Sequence, residues 1–176
     1  MKFDNYYVAY KEQFKKYETL KLRLLEIGVQ SGSSLAYWKE NYPFDVWGAD
    51  IDPKCAGHQV IIGDQSKVEF LESLPLFNII IDDGGHTMQQ QQITFQTLFP
   101  KLPSGGIYVI EDLHTSFWPK FWDISTKTTD YAKDLTDTLH EEANNITRLE
   151  GQRMARNQFG IASVHFYPSL VFIHKK

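Results

Sequence analysis

Four acids and a histidine sit where two short apolar runs end. Ile79-Ile80-Ile81 leads into Asp82-Asp83-Gly84-Gly85-His86, and Tyr108-Val109-Ile110 leads into Glu111-Asp112. If the two runs are neighbouring strands, the carboxylates crowd together, raise one another's pKa and repel unless a proton or a cation intervenes. A hard divalent cation with oxygen ligands relieves that crowding, and Mg²⁺ is the usual choice where water and substrate complete an octahedron. The competing reading has one acid of each pair capping a helix or accepting backbone amides. The Gly84-Gly85 pair, which lets a ligand approach the chain closely, favours the cation. His86 follows Asp83 by three residues, and the ordinary imidazole pKa of about 6.5 suits a general base near neutral pH. His114, three residues past Glu111, is the competing base. His58, His140, His165 and His174 have no converging acids.

A second cluster has the makings of a nucleoside site. Leu24-Leu25-Glu26-Ile27 is an apolar strand that turns at Gly28 and Gly32 and enters a helix capped by Ser33 or Ser34. A glycine-rich turn between a buried strand and a helix lets a ligand come close to the backbone. The dinucleotide fingerprint needs a glycine where this chain has Gln30, so a pyrophosphate cradle is disfavoured. Val46-Trp47-Gly48-Ala49 ends in Asp50, about twenty residues on, the spacing of a carboxylate that grips a ribose diol.

The elements that must position these groups follow from periodicity. Residues 6–19 are expected to be helical, with Tyr7, Tyr10, Phe14 and Tyr17 recurring every three or four residues. Strands are expected at 22–27, 44–50, 58–62, 77–82 and 107–110, and helices at 33–41, 66–73, 87–99 and 129–144. Two more strands, 161–166 and 170–174, are joined by Tyr167-Pro168-Ser169, too short for a crossover, so they pair antiparallel. Alternating strands and helices imply an α/β fold: a doubly wound, mostly parallel seven-stranded sheet with an antiparallel C-terminal hairpin. In such a sheet ligands bind beyond the carboxyl ends of the strands, where both acid pairs fall. The run Gln89 to Gln92 reads as a solvated helix face. No repeat or linker divides residues 1–176, which read as a single domain.

Composition bounds the partners. The chain has 176 residues, a net charge of −4, 42% apolar and 14% aromatic residues. It carries no basic stripe, which argues against a nucleic-acid binder. A single cysteine, Cys55, excludes an internal disulfide framework and reads as a partly buried bystander. The start of the chain shows no signal peptide, and the longest apolar runs are far below a membrane span. A cytoplasmic protein without a membrane partner is expected; a homo-oligomer is compatible.

The pattern Glu26-x-Gly28-x-x-x-Gly32 resembles motif I of class I S-adenosylmethionine (SAM) methyltransferases. Further along, Asp82-Asp83-Gly-Gly-His86, Gly105-Gly106-x-Tyr108-Val109-Ile110-Glu111-Asp112, Trp118-Pro119 and His165-Phe166-Tyr167-x-Ser169-Leu170-Val171 together resemble the metal-dependent sugar O-methyltransferases of macrolide and related glycoside biosynthesis. The resemblance runs from about Tyr6 to the last residue. It implies SAM at the glycine turn, Mg²⁺ on Asp83, Glu111 and Asp112, and His86 as the base that deprotonates a sugar hydroxyl. The cofactor-binding set is then Glu26, Gly28, Gly32, Ser34, Asp50, Asp64, Gln65 and Asp82. Asp50 is expected to hold the ribose, and Asp64 to reach the adenine amino group with Gln65 beside it. Asp64 as an N-cap for the next helix is the competing role. Glu26 either orders the glycine loop or faces the methionine amine. The chain departs from the family at Gly85, where serine is usual, and in lacking a charged Gly-Thr-Asp-Lys segment and the additional N-terminal domain of the macrolide enzymes.

The expected activity is SAM- and Mg²⁺-dependent methylation of a hydroxyl on a sugar or glycosylated small molecule. The rivals are a catechol-type O-methyltransferase, a non-catalytic SAM-binding module, and a metal-dependent hydroxylase or hydrolase that needs no SAM site. Phe117-Trp118-Pro119-Lys120-Phe121-Trp122 is either an aromatic wall for the acceptor or packing over the sheet edge. Arg148, Arg153 and Arg156 are either contacts for an anionic acceptor or solvated surface.

Overall fold

The computed structural model describes residue 2 and residues 4–140 and 159–176. Five helices and seven strands carry these residues: α1 (Asp4–Phe14), β1 (Arg23–Ile27), α2 (Ser33–Asn41), β2 (Asp45–Asp50), β3 (Val60–Ile62), α3 (Val68–Ser73), β4 (Ile79–Asp82), α4 (Met88–Leu98), β5 (Ile107–Ile110), α5 (Thr128–Asp137), β6 (Ile161–Tyr167) and β7 (Leu170–Lys175). The strands form one sheet in the order β3-β2-β1-β4-β5-β7-β6. The first five are parallel, and β7 inserts antiparallel between β5 and β6. The fold class is the one expected from the alternation of elements.

Apolar runs with no polar alternation build this sheet because both its faces are covered. Successive side chains point to opposite faces, so each strand feeds two cores. Leu24, Ile79, Ile81, Ile107, Val109 and Phe172 join Tyr10, Phe14 and Trp38 under α1 and α2. Leu25, Ile80, Tyr108, Ile110 and Ile173 join Leu71, Phe95 and Leu135 under α3, α4 and α5. The strand order reverses between β1 and β4, which opens a crevice at their carboxyl ends.

Boundaries differ in physically readable ways. The first helix ends at Phe14, followed by a 3-10 turn over Lys15–Tyr17, where the Tyr17 hydroxyl donates to the Gly105 carbonyl at 2.7 Å and holds the chain against the sheet. α5 gives way at Asp137 to a 3-10 turn, Thr138–His140. The rest of the expected 129–144 helix, with Arg148, Arg153 and Arg156, lies outside the described residues.

Candidate active site

The glycine turn is built by two backbone constraints. Gly28 has φ +90°, and a Cβ there would lie 2.1 Å from the Asp83 carbonyl oxygen. Gly32, with φ +74°, is the N-cap of α2; Ser33 and Ser34, expected as the cap, lie instead in its first turn, and no side chain caps the helix. The crevice beside the turn encloses about 220 Å³ and is lined by Gly28, Gln30, Asp50, Asp64, Asp83 and Gly84 among others.

Asp50, at the end of β2, points into this crevice and pins its rim. Its Oδ2 accepts from the backbone N–H groups of Val29 (2.7 Å) and Gln30 (3.1 Å), and its Oδ1 from Asp52 (2.9 Å). Burial disfavours the charge, but these backbone donors outweigh it and hold the carboxyl below its ordinary range. Asp64 also lines the crevice, yet its Oδ1 accepts from the Ser66 backbone N–H at 2.8 Å. It therefore closes the turn ahead of α3 but does not cap it: the N-cap position is Lys67, three residues on, so the competing N-cap role is not the one Asp64 takes. Ser34 stands in the first turn of α2 and supports the Glu26 carboxylate, with burial as the larger, opposing influence on that acid.

Gln65 lines the crevice beside Asp64, and Asp82 lies beneath it. The Gln65 amide donates to Asp82 Oδ1 (3.0 Å) and to Thr94 Oγ1 (3.2 Å), while its carbonyl accepts from the Gly85 N–H (2.7 Å). Asp82 is fully buried and accepts the Tyr108 hydroxyl at 3.2 Å. Burial pushes its carboxyl up to about 7. Strand alternation explains the placement: Asp82 shares the face of Ile80, under α4. Its surroundings are bracing rather than open to a ligand.

The opposite alternation gathers the other acids. Glu26, Asp83 and Glu111 continue the faces of Leu24, Ile81 and Val109, so all three point toward α1 and α2. Between them stands the ammonium of Lys2, at 2.7 Å from Glu26 Oε1, 2.8 Å from Asp83 Oδ2 and 2.7 Å from Glu111 Oε1. Burial works against its charge, but the three carboxylates hold it firmly protonated. The Tyr10 hydroxyl donates to the same Glu111 oxygen, and Trp38 Nε1 donates to Glu26 Oε2 at 3.3 Å. Burial pushes Glu111 up, and Lys2 opposes that push.

Next to this buried trio lies a more open one. His86 Nε2 is 3.6 Å from Asp112 Oδ2 and 4.0 Å from Asp83 Oδ1. Donor atoms of Asp83, His86 and Asp112 all fall within 4.8 Å of one another. His86 (φ +59°) and Asp112 (φ +56°) both adopt the left-handed conformation, which is uncommon for residues other than glycine and found at sites the surrounding structure over-determines. The Tyr6 hydroxyl lies 2.7 Å from Asp112 Oδ1. His86 Nδ1 is buried and has no hydrogen-bond partner among the described residues. His114 is tied elsewhere: its Nδ1 lies 2.5 Å from Ser169 Oγ in the β6–β7 turn.

Asp83, Glu111, Asp112 and His86 thus meet at one edge of the sheet, beside the glycine turn, whereas Asp82, expected to crowd with them, lies on the opposite face against Gln65 and Tyr108. Three contributors escaped the sequence reading: Lys2, Tyr6 and Tyr10. The two tyrosines, four residues apart on α1, carried a signal, because a buried phenol needs an acceptor. The glutamine run is corrected. Gln91 and Gln92 are buried, Gln91 donates to the Glu111 carbonyl at 3.0 Å, Gln92 to the Thr126 carbonyl at 2.7 Å, and Gln90 forms a capping box with Thr87. Only Gln89 of the four is exposed.

The sheet order, the antiparallel β7 and the glycine turn at the crevice define a class I methyltransferase fold. No protein-family model matches the sequence. Within the class, the chain is homologous to sugar O-methyltransferases. It is 34% identical to an 8-demethyl-8-alpha-L-rhamnosyl tetracenomycin-C 2'-O-methyltransferase of Streptomyces olivaceus, over 97% of this chain and 50% of the relative. It is 32% identical to a mycinamicin VI 2''-O-methyltransferase of Micromonospora griseorubida, over 94% of this chain and 47% of the relative. The solved MycE methyltransferase of the mycinamycin biosynthetic pathway, in complex with Mg, SAH and mycinamycin VI, superposes with a TM-score of 0.81 at 29% identity, covering 96% of this chain and 48% of that one. The chain spans about half the length of the curated relatives it matches.

Proposed function

We propose that the chain is a SAM- and Mg²⁺-dependent O-methyltransferase, a single domain over residues 1–176, that methylates a hydroxyl of a sugar or glycosylated small molecule. The observation that carries this reading is the meeting of Asp83, His86, Glu111 and Asp112 beside the glycine turn at the carboxyl edge of β4 and β5. The residues present fit a hard cation. Glu26, Asp83, Glu111 and Asp112 crowd together with one ammonium among them, which leaves an excess of negative charge in a half-buried place. Asp83, Glu111 and Asp112 would hold Mg²⁺, which lowers the pKa of a coordinated hydroxyl and orients it.

The chain's own residues do the rest. Gly28, Gly32 and the Asp50-pinned rim bind the nucleoside, with Asp50 facing the ribose and Asp64 the purine edge. Ser34 faces the methionine end, while Glu26, buried against Lys2 and Trp38, takes the other role weighed for it and orders the glycine loop. Gln65, in the crevice wall beside Asp64, and Asp82 beneath it fix Gly85, hence the start of the His86 loop. His86 takes the acceptor proton at Nε2, the ring nitrogen that faces the acids. The Phe121 ring lies 6.3 Å edge-on from His86, and Trp118 stacks on Phe121 at 6.0 Å and 27°. Trp118 is half exposed. These two rings supply a flat apolar wall on the acceptor side of the base, of the kind that the C–H face of a sugar covers.

Among the described residues no helix is long and apolar enough to cross a membrane. A cytoplasmic location is part of the reading, and the biosynthetic names of the relatives support it.

One observation favours a second reading. The Lys2 ammonium neutralises part of the acid cluster, as a non-catalytic SAM-binding module with structural acids would require. The test is methyl transfer from SAM to a rhamnosylated or macrolide glycoside, followed by mass spectrometry with Mg²⁺ and with EDTA. Transfer that disappears in EDTA and returns with Mg²⁺ is the expected result. SAM binding without any transfer to such acceptors would favour the module, and no SAM binding would refute both.

A further inference from the structure

The Lys2 ammonium is buried, with only 3% of the side chain exposed. It holds Asp83 Oδ2 and Glu111 Oε1 by hydrogen bonds of 2.8 and 2.7 Å. Its third carboxylate contact is an ion pair with the fully buried Glu26 Oε1 at 2.7 Å. Three carboxylates whose oxygens lie within 4.8 Å of one another therefore face a single positive charge. An ammonium is a compact point charge with free rotation about its stem. It satisfies such a pocket less completely than an ion that takes several oxygens at once.

Two of those three acids, Asp83 and Glu111, are the ones the proposed Mg²⁺ needs. A divalent ion on the same oxygens would stand within a few ångströms of the ammonium, and like charges that close in a buried pocket repel strongly. We propose that the Lys2 ammonium and a divalent cation are alternative partners of the Asp83 and Glu111 carboxylates, and that the side chain withdraws when the ion enters. Lys2 is then a tethered stand-in cation. It keeps buried acids from facing one another bare while the metal is absent, and metal entry must displace it. This rests on the metal reading above, and the test separates the two.

Mn²⁺ binding, read from the loss of the free-ion electron paramagnetic resonance signal, is compared for the unaltered chain, Lys2→Met and Lys2→Arg. If Lys2 fills the pocket nine-tenths of the time or more, its removal tightens apparent Mn²⁺ binding by about ten-fold or more. Lys2→Arg, which keeps the charge, should bind no more tightly than the unaltered chain. In the unaltered chain, acetylation of the Lys2 amine, followed by mass spectrometry, should accelerate several-fold at saturating Mg²⁺. Unchanged or weaker Mn²⁺ binding in Lys2→Met, or an acetylation rate indifferent to Mg²⁺, overturns the proposal and leaves the metal reading standing. No Mn²⁺ binding in any variant overturns both. Should Lys2→Met melt early without metal, recovery of its melting temperature by Mn²⁺ supports the exchange. If it does not fold even with Mn²⁺, the acetylation result on the unaltered chain decides.

Discussion

Asp50→Ala isolates what holds the cradle open. The Asp50 carboxylate accepts backbone N–H groups of Val29 and Gln30 at 2.7 and 3.1 Å across the gap between β2 and the glycine turn. The third bond, from Asp52, is local and easily replaced by water. Hydrogen bonds to a charged group contribute about 1.5–3 kcal/mol each, and a half-exposed carboxylate belongs at the low end, so the two long-range bonds amount to about 3 kcal/mol. For a chain of this length that loss lowers the melting temperature by about 6–12 °C. The sign with pH is set by the depressed folded pKa of Asp50. The contribution is complete above the unfolded value of about 3.9 and is lost as pH falls through the folded value below it, so mutant and unaltered chain converge in acid. Urea denaturation at neutral and acid pH measures this. Calorimetry with S-adenosylhomocysteine, the demethylated product of SAM, measures the cradle, and about a ten-fold or greater weakening is expected from a lost charged contact. Asp50→Asn, which retains one acceptor oxygen, should fall between. A melting temperature within about 2 °C of the unaltered chain would refute the claim that Asp50 organises the turn. Unchanged affinity would remove it from the ribose site.

Gly28→Ala should cost about 2 kcal/mol or more and abolish S-adenosylhomocysteine binding, because its Cβ would meet the Asp83 carbonyl at 2.1 Å with φ at +90°; thermal melting and calorimetry check both. His86→Ala should lower kcat by roughly 10²–10⁴ with little change in cofactor affinity, whereas His114→Ala, which loses a contact to Ser169, should be mild. A dead His114 variant beside an active His86 variant would exchange their roles. His174, buried on β7 against Gln13, has its pKa lowered to about 4, with burial as the leading cause. A histidine kept neutral in the fold loses stability as pH drops from its unfolded value of about 6.5 toward 4. His174→Gln should flatten the denaturation midpoint across that window, and an unchanged pH profile would contradict the assignment.

Much of the site was legible through strand parity. Counting by twos from Leu24, Ile81 and Val109 puts Glu26, Asp83 and Glu111 on one face, and counting from Ile80 puts Asp82 on the other. The glycine turn and Asp50 were readable from residue type and spacing alone. Lys2, Tyr6 and Tyr10 were not, since their contacts depend on where α1 docks, and the tyrosine periodicity of α1 specifies only a buried stripe. The glutamines misled because a polar composition was read as solvent, whereas a buried amide is stable once bonded, as Gln91 is to the Glu111 carbonyl. Nor do residue types announce the left-handed conformations of His86 and Asp112.

The C-terminal hairpin works as a gauge. Because β7 runs antiparallel beside β5, the turn that joins β6 to β7 arrives at the same edge where the parallel strands finish. Ser169, in that turn, accepts the Leu113 N–H on its carbonyl at 3.0 Å and the His114 N–H on its hydroxyl at 3.2 Å, and its carbonyl lies 3.2 Å from the Tyr6 hydroxyl. One more residue on each arm would carry the turn about 3.4 Å outward, beyond reach of all three. One fewer would drive it into the segment after Asp112. The length of a distant hairpin therefore sets the height of the loop that carries the last acid of the site. Insertions in homologues should avoid both arms of it.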